Sequence, residues 1–267
     1  MSEKKLEIKS FWNDDFVLSS ADLIAVKAGL KKSTRVECLN MNDFNKKNKD
    51  FKKHKLIAIP SDRVLFGKFN VYISKLKRHA FEARKCDPSY KIIKERRSFN
   101  DVVDEVEKFS RLISYPDCCI NQYIESTLQS EDLISNKTFS KIPKRIPFVF
   151  NNILNGVSNV FISFHVPCSF SCKKTFSYNT KIFNTVKKSS PSFSQDMENL
   201  LKRPYLVLLQ PHLSAYASWD LRKGFIFEGK IKKNELVYSK ALYFKTSYPD
   251  YKKSKSSDNI ARINEIV

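Results

Sequence analysis

Glycine is scarce in this 267-residue chain: five in all, Gly29, Gly67, Gly156, Gly224 and Gly229, and no two of them spell GxG. A dinucleotide-binding fingerprint and a phosphate-cradling P-loop both need clustered glycines for close backbone approach to phosphate. Neither can be written here, so no nucleotide cofactor is expected. Histidine is as rare, with His54, His79, His165 and His212 only. They form no HExxH and no all-histidine zinc spacing, so a metal site has to lean on cysteine. There is no GxSxG elbow to set beside the many serines, which argues against a serine hydrolase. Long apolar runs are missing too. No segment approaches the ~20 apolar residues that span a bilayer. Residues 1–16 lack the apolar core of a signal peptide, and a cytoplasmic protein without a membrane partner is expected.

What is abundant is positive charge. Lys and Arg number 48 against 28 acidic residues, a formal net charge of +20. Such a field concentrates polyanions, so RNA is a candidate partner through the lysine-rich surface. Against that, only 11 of the 48 are Arg, the better ligand for phosphate and base edges. The excess of Lys, Asn, Ser, Phe and Ile also follows from AT-rich codons. Hydrophobic residues make up 42% of the chain, including 21 Phe and 11 Tyr, enough to build a core rather than a basic tail.

Periodicity predicts a helix over 20–30, capped by Ser19 or Ser20 and ended near Gly29, then a strand over 34–39. Residues 40–55 read as an exposed lysine-rich connection, 56–60 and 71–74 as short strands, and 75–85 as a basic helix. The clearest helix starts at Ser98, where Phe99, Val102, Val103, Val106, Phe109, Leu112 and Ile113 share one face. Asp101, three residues after Ser98, resembles a capping-box acid, and Pro116 ends the helix near Ser114 or Tyr115. Further on, 130–144 reads as a loop, 160–165 as a strand, 171–186 as a weak helix and 196–202 as a short one. Strand-like segments follow at 205–210, 225–228 and 236–244. The expected fold class is α+β, a mixed sheet with packed helices and a β-rich C-terminal part. The expected organisation is an N-terminal region over 1–54, a main domain over 55–245 and a mobile basic tail over 246–267.

The densest chemistry lies in two groups, Tyr115-Pro116-Asp117-Cys118-Cys119 and His165-Val166-Pro167-Cys168-Ser169-Phe170-Ser171-Cys172. Each places thiols just after a proline that fixes the backbone. In a reducing compartment such cysteines are thiols or metal ligands rather than disulfides. The spacing predicts that Cys118, Cys119, Cys168 and Cys172 converge on one metal site, with His165 as a further ligand, an orienting partner or an acid/base group. Neighbouring side chains diverge by ~100° in a helix, which suits the separate corners of an iron–sulfur cluster better than one small zinc ion. Zinc, or a metal-free thiol relay, stays open. Asp117 reads as a turn-former, and Cys38 and Cys86 as small buried hydrophobes. Aromatics beside lysine, as in Phe66-Gly67-Lys68-Phe69 and Tyr243-Phe244-Lys245, read as strand-edge core residues before base-stacking ones.

The segment from Arg111 to Ile120, with His165 to Cys172, resembles domain of unknown function 483 and its relatives, a prokaryotic family. Its members carry a helix ending in LGYPxCC and later an HxPCxxxC segment, and here Ser114 stands where that pattern has glycine. The resemblance reaches from about Val71 through Phe244. It implies that Tyr115, Pro116, Cys118, Cys119, His165, Pro167, Cys168 and Cys172 form one site, and it implies no particular activity. The resulting expectation is a cytosolic metal-binding protein, with an iron–sulfur cluster that serves a catalytic or redox step on a substrate such as RNA. The other reading is a zinc-stabilised binding module.

Overall fold

The computed structural model describes residues 15–128, 147–150, 161–165 and 167–202, together with the backbone of strands at 205–208, 225–232, 235–241 and 260–262. The fold is α+β. Its N-terminal layer is an antiparallel sheet of three strands, β1 (Thr34–Cys38), β2 (Ile57–Leu65) and β3 (Lys68–Ser74), in the order β1-β3-β2. Both pairings are antiparallel, which corrects the expected mixed sheet. The cause is local. Phe66 and Gly67 both take positive φ, 53° and 74°, and close β2 onto β3 as a two-residue hairpin, so no crossover is made. Phe66 stands exposed at that tip while Phe69 is buried, so the aromatic–lysine run splits between turn and core.

Helix α1 (Ala21–Lys27) is capped by Ser20, whose hydroxyl accepts the Leu23 N–H at 3.4 Å. It ends in a Schellman motif. Gly29 has φ +80°, and the Leu30 and Gly29 N–H groups return to the carbonyls of Ala25 and Val26. Six consecutive residues, Ala21 to Val26, are buried, because α1 is packed on two sides. Leu23 and Val26 join Val17, Phe51, Val71 and Ile73 over the sheet. Ala21, Ile24 and Ala25 join a second core with Ile162, Ile182, Phe183, Val186 and Met197. The stretch before residue 54 thus supplies an outer strand to the sheet and a wall between two cores.

The segment 40–55 is a helix and not an open connection: α2 spans Met41–Lys53, with Asn40 accepting the Asp43 N–H at 2.9 Å. Only Phe44 and Phe51 are buried on it, two turns apart on one face, and Phe51 is fully enclosed. Two large aromatics seated on the sheet suffice to hold a helix whose other faces are lysine in water.

Three further helices carry the chain to the first cysteine group, α3 (Lys77–Cys86), the short α4 (Ser89–Ile93) and α5 (Val103–Leu112). Ser98 and Asp101 cap one another as the spacing predicts. The Asp101 carboxylate accepts both the Ser98 N–H (3.1 Å) and its hydroxyl (2.7 Å), and the Ser98 oxygen accepts the Asp101 N–H (3.3 Å). The box opens a 3-10 turn, Asn100–Val102, before α5 becomes regular. Helix α6 (Asp117–Leu128) follows after a sharp corner.

In the later part, α7 (Lys173–Ser189) and α8 (Pro191–Leu201) meet at Ser190. Both outrun the sequence reading. The polar face of α7 hides the apolar stripe Ile182, Phe183 and Val186, and Pro191 starts α8 five residues before the first predicted position. No strand forms at 161–165, because Ser163 and His165 turn inward and bond to side chains instead of a ladder. The predicted loop over 130–144 and the basic tail lie outside the described residues, as do the side chains of the expected β-rich C-terminal part. Among the described residues no helix is long and apolar enough to cross a membrane.

Candidate metal centre

The corner between α5 and α6 is built by the YP pair. Helix α5 ends in a second Schellman motif. The Tyr115 N–H bonds the Ser110 carbonyl and the Ser114 N–H bonds that of Arg111, both at 3.1 Å. This puts Ser114 at φ +65°, the left-handed region that favours glycine. Its hydroxyl accepts the Lys32 N–H at 3.1 Å, a contact glycine could not make. Pro116 then opens α6, its carbonyl receiving the N–H groups of Cys119 (2.9 Å) and Ile120 (3.0 Å). The cysteine pair therefore occupies the first helical turn. Asp117 faces solvent there and accepts from Arg111 at 2.7 Å, in keeping with a helix-start acid.

The second cysteine group meets it from the other side. Cys172 is the N-cap of α7, its sulfur accepting the Thr175 N–H at 3.4 Å, and the Cys168 N–H donates to the Cys119 sulfur, also at 3.4 Å. The N-terminus of α7 thus points its partial positive end at the Cys172 sulfur, which favours thiolate there. The Cys118 and Cys172 sulfurs are 3.6 Å apart, and each is 3.9 Å from the Cys119 sulfur. All four sulfurs lie within 4.8 Å of one another, a group that could hold a metal ion. Cys119 and Cys172 are buried while Cys118 and Cys168 are half-buried, so the group is reached from one side.

The helical pair shows how adjacent cysteines can share one centre. Though adjacent on α6, both bring their sulfurs to the Cys172 sulfur, at 3.6 and 3.9 Å. Burial pushes the Cys119 thiol up, and burial with the neighbouring Cys172 pushes Cys168 up to about 11. Burial acts on Cys172 in the same sense. The Thr175 hydroxyl and N–H and the thiols of Cys168 and Cys118 outweigh it and hold Cys172 at about 7.

His165 stands one hydroxyl away from the sulfurs. Its Nε2 is 3.1 Å from Thr175 Oγ1, which is itself 3.1 Å from the Cys119 sulfur. The donors run in one direction. Asn179 gives its N–H to the Val149 carbonyl (2.6 Å), so its Oδ1 accepts the Ser163 hydroxyl (2.6 Å), and the Ser163 oxygen takes His165 Nδ1–H (3.0 Å). The other ring nitrogen, Nε2, faces the Thr175 hydroxyl, whose single hydrogen is shared between the imidazole and the sulfurs. Burial, and after it Lys31, lowers the pKa of His165 to about 3. Tyr115 covers the imidazole with ring centroids 4.9 Å apart, and its hydroxyl donates to the Phe164 carbonyl. The sequence reading had no signal for Thr175, Ser163 or Asn179, since hydroxyl and amide side chains in a polar helix look like surface.

The structure thus brings Cys118, Cys119, Cys168 and Cys172 together and sets His165 behind them. Cys38 is buried between α2 and the sheet, far from any such group, and Cys86 packs with Tyr72, Phe109 and Ile113. No curated protein and no solved structure matches the chain. A family model described as "Protein of unknown function (DUF483)" matches residues 69–202, and the resemblance read through Phe244 therefore ends earlier, after α8. The match covers half of the chain and includes both cysteine groups with the helices that carry them, and the chain belongs to this family.

Proposed function

We propose that this chain is a metal-binding protein in which Cys118, Cys119, Cys168 and Cys172 hold one zinc ion. On this reading the centre clamps α6 to the start of α7. Sulfur spacing carries the reading. Tetrahedral zinc with bonds of about 2.3 Å needs thiolates about 3.8 Å apart, and three of the pairs here measure 3.6, 3.9 and 3.9 Å. A cubane iron–sulfur cluster places each thiolate on its own iron, which spreads the sulfurs to roughly 6 Å. Holding one would require α6 and the 168–172 segment to move apart.

Four thiolates fill the coordination sphere, as in zinc sites that stabilise folds rather than activate water. The ion would supply folding free energy across two segments that share no backbone ladder. His165 serves by holding Thr175 in place against Cys119, and Tyr115 keeps water from the imidazole. The reading is therefore a zinc-stabilised binding or accessory protein.

Anaerobic purification followed by elemental analysis tests it. The expected result is a colourless protein with about one zinc per chain. Cys118→Ala and Cys172→Ala should each lose the metal, while Cys38→Ala keeps it. A brown protein with matching iron and inorganic sulfide would replace zinc by a cluster at the same four residues. A fully folded, metal-free chain would overturn both.

A further inference from the structure

On the opposite side of the sheet from α2 lies a hollow of about 290 Å³, between the β2–β3 hairpin and helices α3 and α4. Its wall comes from an irregularity in β2. Pro60 pairs with Val71 and Val64 with Phe69, so three residues of β2 stand opposite Asn70 alone. Those three, Ser61, Asp62 and Arg63, all line the hollow. Bulges of this kind commonly re-aim side chains next to functional sites, and β2 is an edge strand free to bend.

The floor is polar, rigid and electrically closed. Asp87 accepts from Arg35 (2.8 and 3.1 Å), Tyr72 (2.7 Å), Asn70 (3.2 Å) and the Ser89 N–H (2.9 Å), and Arg35 cancels its charge from behind. Asp62 at the rim is paired with Arg84 at 3.1 Å, and Lys91 with Glu105 at 2.7 Å. Arg63 and Lys85 have no ion-pair partner among the described residues, and they give the hollow its net positive field. Two aromatic surfaces line the same space. Tyr90 lies under the Arg63 guanidinium at 4.7 Å, and Phe81 keeps 56% of its surface exposed.

Cations without an ion-pair partner beside one open aromatic face, that of Phe81, recognise a phosphate joined to a planar base. The volume admits one such unit and excludes a duplex, and it lies just under the ~300 Å³ at which ligand cavities begin. We propose that this hollow binds one unpaired nucleotide of a single-stranded RNA, the base against Phe81 and the phosphate on Arg63 and Lys85. The site uses none of the cysteine residues and stands apart from the zinc reading.

The test is fluorescence anisotropy of a short labelled single-stranded RNA with the full chain, titrated at several salt concentrations. Phe81→Ala should weaken binding about tenfold, since one stacked base is worth about that. Arg63→Ala with Lys85→Ala should lower the salt slope by about 0.7 per phosphate released. All three positions are exposed, so thermal midpoints and metal content should stay unchanged, which separates this result from failure of the metal reading. Lys46→Ala with Lys49→Ala removes equal charge from α2 and should leave affinity nearly intact. Competition by UMP assigns the source. Displacement at the strand's own concentration means a free nucleotide occupies the hollow, and displacement only at far higher concentration means a strand. Equal losses in the α2 control, or competition by polyglutamate as good as by RNA, would overturn the proposal.

Discussion

Ser114 and His165 show at the level of single residues what spacing reveals and what it conceals. The corner before Tyr115 was legible, because a proline one residue on forces the helix to stop. The left-handed backbone there was not, because serine does not announce it as glycine does. Ser114→Gly should leave stability within about 1 kcal/mol of the native value, the eased backbone offsetting the lost bond from Lys32. Ser114→Val should cost about 2 kcal/mol, since a β-branched residue resists φ +65°. Urea unfolding of the two variants checks both. His165 was legible as part of the site through its place three residues before Cys168, but its partners were not, as they come from α7 and from Ser163 by tertiary contact. With its pKa held near 3 by burial, the folded protein refuses a proton that the unfolded chain accepts at about 6.5. The associated stability is present in full above pH 6.5 and is lost as pH falls toward 3. With a chelator present, the native chain should lose about 2 kcal/mol between pH 7 and pH 5 from this group. His165→Gln should flatten that part of the profile, and an unchanged slope would remove the histidine from the account.

Among the elements, those with a strong apolar stripe or a cap were readable, and those held by few large contacts were not. Helix α5 follows directly from its stripe and the Ser98–Asp101 box. Helix α2 escapes because Phe44 and Phe51 are its only buried residues, and their value depends on a sheet that the local sequence does not display. The segment 161–165 errs the other way. Its β-branched and aromatic letters suggest a ladder, yet its polar side chains find better partners in Asn179 and Thr175. Helix α1 lies between the sheet core and the core under α7 and contributes side chains to both. Ile24 is 1% exposed on the α7 side. Ile24→Ala should cost about 2–5 kcal/mol and reduce metal retention with it, because the cavity opens in the core that includes Cys119 and Cys172. Leu23→Ala, facing the sheet, should cost a similar amount with less effect on the metal. Denaturation curves paired with elemental analysis distinguish the two faces.

At the scale of the whole molecule, composition excluded the common nucleotide folds and left cysteine as the dense chemistry, and the four sulfurs do converge. The charge of +20 said little by itself. Its interest lies in where cations go unpaired, which only the fold reveals, as at Arg63 and Lys85 beside Phe81. On the zinc reading, stripping the ion should lower the thermal midpoint by about 10 °C if the clamp is worth about 3 kcal/mol; calorimetry with and without chelator reads it directly. The clamp has one more effect. Cys119 and Cys168 are 49 positions apart, and the Cys168 N–H donates to the Cys119 sulfur across that gap. A metal joining them would close a loop that also carries Val149, Phe150, Ile162 and His165 into the second core. Doubling the length of such a closed loop costs only about 0.6 kcal/mol, so on the zinc reading residues added between those buried pieces would leave α6 and α7 joined.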